Sequence, residues 1–155
     1  MATLSVSIDE KISIAGRNLG GSVTYRIGSV NDIYHRIITC PANNDTTIVS
    51  FQTAVHTSDN VIDLENTKYI RVSNIDTDQC VMSLQISNNE NGTADGSTSI
   101  LLPAQHSFIL STVHEGIACD DDAATIITDT ALHDLESIII DPQGNDVQVE
   151  VFVAS

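Results

Sequence analysis

A chain of 155 residues with 6 basic and 21 acidic side chains carries a formal net charge of −15. That excludes the basic footprint nucleic-acid binding needs, and an anionic membrane surface would repel it. Hydrophobic residues make up 41% and aromatics 4%, with no Trp, so one core is within reach but flat aromatic sugar platforms are scarce.

The predicted elements are strands, because apolar residues recur with period two. Leu4, Val6, Ile8, Ile12 and Ile14 fall on even positions, and Val23, Tyr25 and Ile27 on odd ones. Tyr34 to Cys40 is apolar on both faces, and Thr46 to Val55 alternates through Val49, Phe51 and Val55. KYIRVSN sets Ile70 and Val72 against Tyr69, Arg71 and Ser73. Cys80, Met82, Leu84 and Ile86 share one face. Ser99 to Leu102 and Ser107 to Leu110 flank a turn at Pro103-Ala104-Gln105. Leu135 to Asp141 is followed by a last strand with Val147, Val149, Val151 and Val153 on one side. Helical spacing is confined to a turn or two within Asp129 to Glu136. Turn chemistry separates the runs in CPANND, HTSDN, NNENGTADGS and DPQGND.

About ten strands without a long helix predict an all-β antiparallel sandwich, jelly-roll-like, as a single domain over residues 1–155. The first strand begins near residue 3 and the last runs to the end of the sequence, so both are expected to pair within a sheet or dock on a neighbour. The start, MATLSVSIDEK, lacks the basic-then-apolar order of a secretory signal, and no apolar run approaches the ~18 residues of a membrane span. Cys40, Cys80 and Cys119 are odd in number and form no CxxC, which predicts buried free thiols made in a reducing cytoplasm.

Charge is unevenly spread. Residues 1–71 hold all six cations and seven acids; residues 72–155 hold fourteen acids and no cation. Carboxylates in the second half must face water, bind metal, or meet cations from elsewhere. CDDDAATIITD concentrates them, and Asp120, Asp121, Asp122 and Asp129 are the candidate ligands for a hard cation such as Ca²⁺. The acids follow no EF-hand spacing, and a solvated acidic loop between strands is the more ordinary reading of them. Asp76 and Asp78 in NIDTDQ read as a turn in which Asp accepts backbone N–H bonds.

Other chemistry finds little support. His35, His56, His106, His114 and His133 form no HxH or HExxH pair and read as surface or strand-end residues. LLPAQHSFIL has the outline of a cupin turn without the ligands. There is no GxSxG elbow, and GRNLGG lacks the ending of a phosphate loop. The expectation is therefore a non-enzymatic module without a cofactor.

SVSIDEKISIAG, NDIYHRIIT, DLENTKYIRVSNIDTDQCVMSLQI and LLPAQHSFIL together resemble small virion structural proteins of marine tailed phages, cyanophages especially. The resemblance covers most of the chain and carries over no catalytic residue. It implies a β-rich building block of a virus particle, assembled in the host cytoplasm. Its first form would be a capsid decoration protein that docks on the major capsid protein and presents an acidic outer surface. A homo-oligomer such as a trimer is expected, with neither nucleic acid nor membrane as partner. A tail, neck or fibre-base component is the alternative placement, and a Ca²⁺- or carbohydrate-binding sandwich module the alternative class.

Overall fold

A computed structural model describes residues 1–52, 61–63, 66–87, 96–112, 118–119 and 133–155. Among these there are fourteen strands and no helix. The chain divides into two compact units, Met1–Asp32 and Ile33–Ser155, described separately below.

The first unit is one long β-hairpin. Strands β1 (Ala2–Asp9) and β4 (Ser22–Val30) pair antiparallel, and β2 (Ser13–Ile14) and β3 (Arg17–Asn18) continue the same ladder to the tip. The register runs unbroken from Leu4 opposite Ile27, through Asp9 opposite Ser22, to Ile14 opposite Arg17. Backbone bonds from Glu10 N–H to the Gly21 carbonyl (2.8 Å) and from Leu19 N–H to the Ile12 carbonyl (3.0 Å) bridge the gap between the pairs. At the tip Ala15 and Gly16 both have positive φ, 51° and 75°. That is the type I′ geometry whose twist suits a two-residue hairpin. Gly20 is required for another reason: a Cβ there would collide with the Glu10 carbonyl oxygen.

The second unit is a two-sheet sandwich. One sheet orders β11 (Ser107–Ser111), β8 (Tyr69–Asn74), β14 (Val147–Ala154) and β5 (Ile33–Cys40), all antiparallel. The other orders β10 (Gly96–Leu102), β9 (Cys80–Ser87), β13 (His133–Asp141), β6 (Thr46–Gln52) and β7 (Val61–Asp63), with β12 (Ala118–Cys119) also on β13. The β6–β7 pair is parallel. The alternating apolar faces meet between the sheets. Ile70, Val72, Val147, Val149 and Val151 from one sheet pack with Met82, Leu84, Ile138 and Ile140 from the other. The sandwich read from periodicity is the fold found, and Leu84 and Val149 are both buried.

One local reading changes, and two strands depart from simple alternation. His133–Glu136, part of the segment expected to turn helically, is strand, because it pairs with β12 and β9; residues 129–132 lie outside the described ones. Within β13 the register against β9 slips between Leu135 and Ser137. Leu135 therefore faces the core from an odd position, while Ile138 and Ile140 face it from even ones. In β6 the register against β13 slips at Ile48, so Ile48 and Val49 are both buried, each 2% exposed. The Pro103–Gln105 turn exists, with Gln105 at φ 59°. It joins β10 to β11, strands of opposite sheets, so the chain crosses the sandwich there instead of forming a hairpin.

Candidate docking face

Because β11, β8, β14 and β5 alternate, what they do not give to the core they give to the sheet's outer side. Register aligns these residues in rows across the four strands. One row reads Ser107, Ser73, Glu150 and Ile37; the next Ile109, Arg71, Phe152 and His35; the third Ser111, Tyr69, Ala154 and Ile33. An outward face of a solvated sheet is ordinarily polar. Here Ile33, Ile37 and Ile109 are 54%, 62% and 39% exposed, beside the half-buried Phe152, while Ser73, Tyr69 and Ala154 in the same rows are buried.

The charges on this face neutralise one another. Arg71 donates from Nη1 to Glu150 Oε2 at 2.7 Å and to Ser73 Oγ at 2.6 Å. Ser73 and Ser107 share a hydroxyl hydrogen bond of 2.7 Å. His35 Nε2 lies 2.7 Å from Glu150 Oε1. The hydrogen bond from Arg71, then that from His35, holds the Glu150 carboxyl below its usual range. Phe152 stacks edge-on against Tyr69 (5.9 Å between centroids) and tilted against His35 (5.8 Å). The result is a fixed surface: aromatic contacts and a closed hydrogen-bond chain in the middle, isoleucines around it. Such a face offers apolar area without demanding that a partner neutralise a charge.

Around the β5 edge, Tyr34, Arg36, Ile38, Thr47 and Ile48 line a cleft of about 470 Å³. Arg36 covers the Tyr34 ring at 5.2 Å, and the Tyr34 hydroxyl donates to the Ile48 carbonyl at 3.2 Å.

The candidate metal ligands Asp120, Asp121, Asp122 and Asp129 lie outside the described residues, as do His56 and His114. Among the described residues no group of three or more His, Cys, Asp or Glu is placed to hold a metal ion. Asp76 behaves as the turn reading expected. Its carboxylate accepts from Thr77 N–H (2.7 Å) and Gln148 N–H (3.1 Å), and these bonds lower its pKa. His106 is exposed beside the β10–β11 turn, within 2.7 Å of the Ala104 carbonyl. His35 is a surface residue, as expected, and sits within β5 on the outer face. Cys40 and Cys80 are buried free thiols. Burial raises both, and Cys80, with Cys40 and Asp141 adding to the effect, is pushed up to about 11.

The Arg71–Glu150–His35 association was not visible in the sequence. The three residues come from three strands far apart in the chain, and only the pairing order unites them. Its trace was a lone Arg in KYIRVSN and a lone Glu in VQVEVF, each at a position turned away from the apolar face.

No family model and no curated protein matches the chain. Two solved structures are similar in outline. One is from the disulfide-linked pili that form Bacillus endospore appendages, at 11% identity and a TM-score of 0.36, covering 82% of this chain and 88% of that one. The other is a family 11 carbohydrate-binding module from Clostridium thermocellum bound to a mixed-linked tetrasaccharide, at 9% identity and a TM-score of 0.31, covering 99% and 86%. At these scores neither likeness bears on function.

Proposed function

We propose that the chain is a non-enzymatic structural protein of a virus particle, a capsid decoration protein of a tailed phage. In this reading the outer face of the β11–β8–β14–β5 sheet seats on the major capsid protein. The observation that carries it is that face: exposed Ile33, Ile37 and Ile109 surround a self-neutralised Arg71–Glu150–His35 group. The rest of the unit supplies contrast. Residues 33–155 hold eighteen acids and three cations, so a sheet face whose charges answer one another differs from the unit's average. A buried interface core is depleted in unpaired charge, and this sheet face meets that condition. The excess acid then faces outward and keeps particles apart at short range. The resemblance of SVSIDEKISIAG and DLENTKYIRVSNIDTDQCVMSLQI to phage virion proteins supports the same class.

Copy number in purified parent particles, by quantitative mass spectrometry, tests the placement. Decoration of every shell site gives hundreds of copies per particle. A dozen or fewer would move the protein to the tail or neck, and none would remove it from the virion.

A further inference from the structure

The β-hairpin of residues 1–32 carries a second apolar surface, separate from the sheet face above. Ser5, Ser7 and Asp9, opposite Arg26, Thr24 and Ser22, form its polar side, where the Ser7 and Thr24 hydroxyls bond at 2.8 Å. The other side carries Leu4, Val6 and Ile8 opposite Ile27, Tyr25 and Val23, and the unbroken register adds Ile12, Leu19 and Ile14. Exposure rises toward the tip. Ile27 is 2% exposed and Leu4 and Val6 are half-buried, but Ile8, Val23, Ile12, Ile14 and Leu19 range from 39% to 63%. A two-stranded hairpin with an uncovered apolar face is marginal in water.

We infer that the distal half of this hairpin packs face to face, antiparallel, on the same surface of a second copy. Three observations favour a second copy as the occupant. The hairpin unit holds three cations (Lys11, Arg17, Arg26) and three acids (Asp9, Glu10, Asp32), so it is neutral where residues 33–155 sum to −15. It is the part of the chain that approaches its own kind with the least like-charge cost. Second, the surface is complementary to itself. Glu10 and Arg17 share the apolar side's alternation, two residues to either side of the Ile12–Leu19 level. A twofold axis at that level sets each Arg17 over the partner's Gly21, where nothing lies within 4 Å of a would-be Cβ. Glu10 is directly across the ladder from Gly21, within reach of the incoming guanidinium. Third, the same axis sets Ile12 and Leu19 of one copy on Ile12 and Leu19 of the other, lays Ile14 along the partner's Glu10 stem, and leaves Ile8 and Val23 at the rim beside the partner's tip.

The overlap is roughly 25 Å long and 10 Å wide from strand dimensions. It therefore buries about 500 Å² in total, below the roughly 1,200 Å² of a standard stable interface. The dimer dissociates on dilution and gains from high local concentration on a particle.

Sedimentation equilibrium of the full chain, from about 5 μM to 1 mM at about 150 mM salt, where repulsion between the acidic bodies is screened beyond about 8 Å, tests this. Reversible dimerisation is expected. Glu10→Arg and Arg17→Glu should each weaken it about fivefold or more, shrinking in high salt. The double exchange should return it to near the starting value. Ile37→Glu, on the sheet face, should leave dimerisation unchanged, so failure here is distinct from failure of the decoration reading. A chain monomeric throughout, a double exchange no better than the singles, or loss of dimer in Ile37→Glu would overturn the inference. Circular dichroism confirms that each variant is folded.

Discussion

Arg71 on β8 and Glu150 on β14 meet at 2.7 Å on the outer side of a sheet whose inner side is core. Each is less than one-third exposed, so water screens the pair only in part. The pairing sets a charged group among isoleucines without leaving it unanswered.

Acid titration reads this pair. Glu150 has a folded pKa depressed below the ordinary 4.5 by its bonds from Arg71 and His35. Its contribution to stability is thus fully present above the unfolded value, and is lost as pH falls through the lower folded value. Glu150→Gln should flatten the wild-type loss of stability below about pH 4.5 and cost about 1 kcal/mol at pH 7. Urea melts of both proteins between pH 7 and 3 check this; parallel curves would contradict it.

Leu84 and Gln85 are neighbours in β9 with opposite fates. Leu84 joins the core at 6% exposure, while Gln85 is half-buried and bonds Ser83 at 2.8 Å. Leu84→Ala should cost roughly 2–5 kcal/mol and Gln85→Ala about 1 kcal/mol or less. Chemical denaturation separates the two, and equal losses would overturn the strand's facing.

Asn74 is buried at the end of β8 and ties three segments. Its side chain donates to the carbonyls of Asp78 (2.8 Å) and Leu102 (3.3 Å) and accepts from Asp76 N–H (3.0 Å). Asn74→Ala leaves these groups without it and should cost about 2–4 kcal/mol. Hydrogen exchange at the Asp76 amide should quicken in the variant, beyond what global destabilisation gives.

The thiols offer a kinetic check. Cys40 and Cys80 are buried with raised pKa values, so both should resist a thiol reagent at pH 8 until the sandwich unfolds. Rapid labelling of either in the folded protein would contradict their placement between the sheets.

Much of the sandwich was legible because β9 and β14 alternate strictly: one side of each is needed for the core, and one register satisfies it. The burial of Ile48 and Leu135 was not legible in the sequence for one physical reason. A bulge adds a residue to one strand only, and the alternation resumes on the other parity. The neutral first half of the sequence also proved to be two things. Residues 1–32 form the hairpin, while β5, β6 and β8 pair with the acidic second half. The outer face escaped sequence reading because Ile33, Ile37 and Ile109 sit on strands where the apolar positions serve both sides. Periodicity alone does not say which side is covered.

In the proposed decoration role, occupancy of the phage particle by a sheet-face variant tests the docking claim most directly. Ile37→Glu paired with Ile109→Glu places two new carboxylates among the exposed isoleucines while leaving the core residues untouched. The double variant should melt like the wild type and occupy particles at least about tenfold less in a competition with it. Equal occupancy would show that this face does not hold the protein to its shell.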